Sequence, residues 1–116
     1  NWYADSGLLA AVIALYVAGL LNKPLSKIRE QYTEYATIPE TNFVVEDKET
    51  AMEAIVDLFP EAEVNRLDGV TITISDSAWL NVRPSNTEPL LRLNVEAKTP
   101  AEVDKVVSKV SGVLKV

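Results

Sequence analysis

A polar loop, Pro84-Ser85-Asn86-Thr87-Glu88-Pro89, lies between two strand-like runs, one ending at Arg83 and the other starting at Leu90. Its residue types suit the capture of a single phosphate. Arg83 is always charged and can donate two parallel N–H bonds to an oxyanion. The Ser85 and Thr87 hydroxyls and the Asn86 amide are neutral donors that can turn toward the same anion. Backbone N–H groups in such a turn can converge into an anion nest. Pro84 and Pro89 restrict the loop and lower the entropy lost on binding. The same composition also suits an ordinary hairpin turn, with Arg83 paired to Glu88 or a neighbouring carboxylate.

The elements that must position this loop can be read from the pattern around it. Asn42–Val45 reads as a short strand. Asp47 can cap a helix running to about Phe59, with Ala51, Ala54, Ile55 and Leu58 inward and Pro60 ending it. Glu63–Leu67 reads as a weak strand, and Asp68-Gly69 is a hairpin signal. Val70, Ile72 and Ile74 alternate with Thr71 and Thr73, as in a half-buried strand. Trp79–Arg83 and Leu90–Ala97 are two more strands, the second with Leu91, Leu93, Val95 and Ala97 on one face. Pro100 starts a final helix whose apolar stripe is Val103, Val106, Val107, Val110, Val113 and Leu114. The order strand, helix, four strands, helix predicts an α+β domain, an antiparallel sheet covered on one face by two helices.

The first 36 residues do not share this plan. Gly7–Leu21 contains no charged residue, so it reads as a helix apolar on every side and suited to the middle of a core. It is too short to cross a bilayer, which takes ~20 residues. Asp5 or Ser6 can cap it, and Asn22 and Pro24 can end it. Pro24 opens a second short helix with Leu25, Ile28 and Tyr32 on one face, and Tyr35–Glu40 reads as a linker. The expected division is therefore 1–36, helices ending a preceding domain, and 37–116, a separate domain. The alternative is that the helices fold back on the sheet. Left exposed, Gly7–Leu21 would offer a dimer interface.

Bulk properties narrow the function further. The 116 residues carry a formal net charge of -6 and no basic run, which disfavours a nucleic-acid partner. With no Cys and no His, thiol nucleophiles, Ser-His triads and the usual zinc sites are unavailable. Asn1–Asp5 has no basic leader, so a cytoplasmic location and no membrane partner are expected.

The stretch Asn81–Ala97, with Arg83-Pro84-Ser85-Asn86-Thr87-Glu88-Pro89 at its centre and Glu96-Ala97 at its end, resembles the C-terminal signature of the α-D-phosphohexomutase superfamily. Leu67–Val70 is similar to the strand-turn-strand before that signature, and Tyr3–Gly7 to the start of the last helical part of the family's third domain. Asn86, where other branches usually carry Gly, is similar to the phosphomannomutase/phosphoglucomutase branch. The resemblance implies a TATA-box-binding-protein-like fourth domain that holds the phosphate not being transferred. It places Arg83, Ser85, Asn86 and Thr87 in that grip, with Glu88 shaping the loop and Arg92 structural. It implies a hexose phosphate ligand, mannose or glucose 1- and 6-phosphate. In the complete enzyme it implies a phosphoserine, a bisphosphate intermediate and Mg2+ on an Asp-Gly-Asp loop. No such metal loop and no phosphoserine loop occur in this chain, and Ser6 is explained by capping. The chain alone is therefore expected to hold no metal and no catalytic residue. A non-catalytic phosphometabolite-binding module and a helix-mediated interaction protein are the alternatives.

Overall fold

The computed structural model describes residues 5–114, arranged as two compact units, one ending at Glu34 and the other beginning at Tyr35. Tyr3 and Ala4, and with them the start of the 1–36 segment, lie outside the described residues.

The first unit holds α1 (Gly7–Leu21) and α2 (Leu25–Glu30). The Ser6 hydroxyl caps α1 by accepting from the Leu9 N–H at 3.2 Å. Asn22 ends it in the left-handed region, φ 48°, where Asn is among the few residues tolerated. None of the residues of α1 is buried, and Leu8, Leu15, Tyr16 and Leu20 are all about two-thirds exposed or more. The sequence leads one to expect a core helix; in the structure its apolar surface is left open.

The second unit is a sheet with the strand order β1-β6-β5-β4-β3, and all of its pairings are antiparallel. Its strands are β1 (Ala36–Thr37), β2 (Thr41–Val44), β3 (Glu63–Asn65), β4 (Val70–Ser75), β5 (Ala78–Pro84) and β6 (Leu90–Ala97). The helices α3 (Lys48–Asp57) and α4 (Pro100–Leu114) complete it. The expected α+β class, element order and single helix-covered face are present. The difference lies at Ala36–Thr37, expected as linker. These residues pair with Ala97 and Glu96, while β2 pairs with Leu90–Leu93 further along the same strand. Pro39, which has no N–H to give, falls in the gap and splits this edge in two.

Strand alternation divides the sheet into a core face and an open face. Val70, Ile72, Leu80, Val82, Leu91, Leu93, Val95 and Ala97 are buried on one side. Ile55 and Phe59 from α3 and its end, and Val103, Val106, Val110 and Leu114 from α4, close over them. The alternate residues, among them Asn81, Arg83, Arg92 and Asn94, belong to the other face, where Arg83 stands directly opposite Arg92 and Asn81 opposite Asn94.

The β3–β4 connection is longer than the Asp68-Gly69 signal implies. A two-residue type I′ turn needs positive φ at both central positions. Gly69 has φ 63°, but Asp68 does not share that region. Instead the Asn65 side-chain Oδ1 accepts from the Leu67 N–H at 2.8 Å, an Asx turn that ends β3 at Asn65. The chain then loops through Arg66–Gly69. The Asn81 amide donates to the Asp68 carbonyl at 3.0 Å and to the Thr71 hydroxyl at 2.9 Å, tying the loop to β5.

Asp47 caps α3 as expected, accepting from the Glu49 and Thr50 N–H groups at 3.0 and 3.2 Å and from the Thr50 hydroxyl at 2.6 Å. These bonds, the Thr50 hydroxyl first, hold its carboxyl below the usual range. A carboxylate depressed on folding stabilises above its unfolded value of about 3.9 and loses that contribution as pH falls through the lower folded value. Asp47→Asn keeps a capping side chain without the titration. It is expected to flatten the stability–pH curve below about pH 5, as measured by denaturant unfolding at a series of pH values.

Candidate functional site

The β5–β6 hairpin carries the polar loop at its tip. Pro84 pairs with Leu91 at the end of the ladder, and the Ser85 N–H donates to the Leu90 carbonyl at 2.9 Å. Ser85 is the buried polar residue of the unit, 4% exposed. Its hydroxyl accepts from the Thr87 N–H at 3.4 Å, a local turn that leaves its own O–H to donate. Its carbonyl accepts from Lys48 Nζ at 2.6 Å. Lys48 and Met52 lie four residues apart on α3 and so share a face. Through Lys48 the helix start is fastened to the loop, and Met52 reaches the same pocket.

Arg83, Ser85, Asn86 and Thr87 line one open pocket of about 390 Å3, together with Met52, Asp68, Gly69, Pro84 and Arg92. The structure thus brings the four sequence-derived residues to a common cavity. Asn86 and Thr87 are exposed at its rim and Ser85 is set deep. Arg83 does not pair with Glu88. Its Nη2 donates to Glu40 at 3.3 Å, and its Nη1 lies 3.9 Å from the Asp68 carboxylate. Arg92, read from the sequence as structural, also lines the pocket, with its Nη1 3.5 Å from Glu40. The reason is register: on antiparallel neighbours Arg83 and Arg92 are direct partners, so both guanidiniums come to the same place.

Two participants were not visible in the sequence reading, and a third, Arg92, was given a structural role there. Lys48 and Glu40 lie far from the loop in the chain and carry no local signal. Arg92 did carry one, because the two strands flanking a hairpin loop place residues equidistant from its centre opposite each other. Chemically the pocket is lined by two guanidiniums, two hydroxyls, an amide and the Asp68 carboxylate, with loop N–H groups beside them. That set suits an oxyanion better than a cation. Among the described residues, no three His, Cys, Asp or Glu side chains converge to hold a metal. None of their helices is long and apolar enough to cross a membrane.

An antiparallel sheet covered on one face by two helices defines an α+β domain, and comparison with known proteins gives it a family. Residues 40–113 match the model for the C-terminal domain of phosphoglucomutase/phosphomannomutase, and the chain belongs to that family. Phosphomannomutase of Methanocaldococcus jannaschii is 37% identical over 112 residues, covering 97% of this chain and 25% of that protein. A probable phosphoglucosamine mutase of Methanothermobacter thermautotrophicus is 35% identical over 109 residues, covering 87% of this chain and 24% of its own length. A solved phosphoglucomutase/phosphomannomutase family protein from Burkholderia thailandensis shares the fold, with TM-score 0.53 and 24% identity over 69% of this chain and 17% of that one. The chain spans about a quarter of the length of the first two relatives. A match over 97% of the chain necessarily takes in α1 and α2 as well as the sheet.

Proposed function

We propose that this chain supplies the phosphate grip of a phosphohexomutase, of the phosphomannomutase/phosphoglucomutase branch, that interconverts hexose 1-phosphate and hexose 6-phosphate. The observation that carries the reading is the shared pocket: Arg83, Ser85, Asn86 and Thr87 line it together, with Arg92 opposite. In this reading Arg83 supplies the charge and the other three supply neutral hydrogen bonds to the phosphate that does not react. Holding that remote group orients the sugar, so binding energy away from the reacting centre supports the transition state. The choice of mannose or glucose phosphates rests on Asn86, the residue by which the loop resembles that branch. Phosphoryl transfer itself, through a phosphoserine and a bisphosphate intermediate, belongs in this proposal to the remaining length of such enzymes, as does Mg2+. The residues described here do not fit a metal, and no step in this chain is routed through one.

Titration of the isotopically labelled 116-residue chain with mannose 1-phosphate and glucose 1-phosphate tests the proposal. Amide resonances of Arg83–Thr87 and Arg92 are expected to move together and saturate. Absence of any shift in them at millimolar ligand contradicts the grip.

A second reading, self-association, is favoured by the open apolar surface of α1. A dimer by light scattering that dissociates in Leu8→Glu/Leu15→Glu supports it, and a monomer at high concentration removes it.

A further inference from the structure

We propose that Glu40 is a built-in counter-anion of the phosphate pocket, one that occupies the guanidinium pair when the pocket is empty and that an incoming phosphoryl group displaces. The inference rests on the phosphate reading above and adds a residue to it that acts against binding rather than for it.

The argument begins with register. Arg83 and Arg92 are direct cross-strand partners, and like charges so placed repel. Glu40 answers that repulsion with one carboxylate shared between them. Its Oε2 accepts from Arg83 Nη2 at 3.3 Å, and its Oε1 lies 3.5 Å from Arg92 Nη1. One carboxylate spanning two guanidiniums through its two oxygens is the arrangement a phosphoryl group would make with the same pair. Arg83 Nη1 faces the Asp68 carboxylate at 3.9 Å. Both terminal nitrogens of Arg83 therefore already face an acceptor. The two positive and two negative side chains cancel, so an arriving anion meets a neutral cluster rather than a positive one. To gain the full attraction of both arginines it has to replace a carboxylate.

Glu40 is the carboxylate that has to leave. It occupies both guanidiniums, whereas Asp68, 80% exposed and already largely in water, approaches only one, and at longer range. It sits beside Pro39 in the gap between β1 and β2, outside the paired residues of either strand. Its side chain is 36% exposed, so water can receive the carboxylate when it swings away. A half-exposed ion pair is weak, which makes the exchange feasible for a doubly charged ligand. In this scheme Glu40 keeps the two arginines together without ligand and sets a threshold that weakly charged anions do not cross.

The test uses inorganic phosphate at mildly alkaline pH and constant ionic strength, with the wild-type chain and Glu40→Gln, followed by NMR. Glu40→Gln is expected to bind phosphate about three- to tenfold more tightly, the scale of one or two exposed ion-pair contacts, with the same Arg83–Thr87 resonances shifting. In the wild type, the Glu40 side-chain carboxyl resonance is expected to move toward that of a free glutamate as phosphate saturates. Equal or weaker binding by Glu40→Gln, with loop shifts intact in the wild type, overturns the role of Glu40 and leaves the phosphate site standing. So does a Glu40 carboxyl resonance that stays fixed at saturation, a readout that holds even if the variant does not fold. No loop shift in either protein sinks the phosphate reading, and this inference with it.

Discussion

Replacing Gly69 by alanine is expected to destabilise the second unit by about 2–5 kcal/mol, through two effects that add. Gly69 has φ 63°, a left-handed conformation that opposes a β-carbon at roughly 1–2 kcal/mol. A β-carbon there would also run into the Val82 carbonyl oxygen and lie 2.8 Å from both Cα and Cβ of Arg83. These are mostly backbone atoms of a central strand, flanked by β4 and β6, so they yield little. For a domain of this size the change corresponds to a fall in Tm of at least about 10 °C, readable by circular dichroism. Gly69→Asn separates the causes, because Asn tolerates the left-handed region but brings the same β-carbon. If close approach dominates, Asn is nearly as harmful as Ala. An alanine variant melting within a degree or two of wild type contradicts the argument. The clash falls on Arg83, so a survivor that refolds with β5 displaced is also expected to bind phosphate poorly.

Arg83→Ala is expected to weaken hexose phosphate binding by roughly 10- to 100-fold, as for loss of a charge-assisted hydrogen-bonding partner worth about 1.5–3 kcal/mol. Arg83 is 41% exposed at its side chain and lies on the open face, so its loss leaves the core untouched. Stability should stay close to that of the parent, which separates this variant from Gly69→Ala. Arg83→Lys retains the charge without the planar fork and is expected to fall between the two. In a full-length mutase the same ratio should appear in kcat/KM, because the remote phosphate is held in the transition state too. Calorimetric titration showing binding by Arg83→Ala within twofold of the parent would remove Arg83 from the grip.

Much of the fold was legible because periodicity and punctuation agreed. Alternation over Leu91–Ala97, the 3.6-residue stripe from Val103 to Leu114 and the Asp47 cap each pointed to one element, and each element is present. Ala36–Thr37 escaped notice because two residues are too few to show a period; they become a strand only because Glu96 and Ala97 offer free partners. Phe59 escaped as a core residue because Pro60 directs attention to the helix end, yet its ring is buried and lies under Lys109 Nζ at 4.3 Å. In the site, the loop residues were legible as a contiguous run of donors. Lys48 and Glu40 were not, because their contacts with the loop and its flanking strands span 37 and 43 residues, and such contacts are made by topology rather than by local sequence.

The split edge of the sheet has a bearing on how this protein behaves in crowded solution. An exposed, continuous border of unpaired N–H and C=O groups can recruit a strand from another molecule and seed ordered stacking. Here one border is made of a two-residue and a four-residue piece on either side of Pro39, and the opposite border is the three-residue β3. A foreign chain would find no ladder long enough to zip onto. Gains in solubility should therefore be sought at the oily surface of the first helix, and the rims of the sheet left as they are.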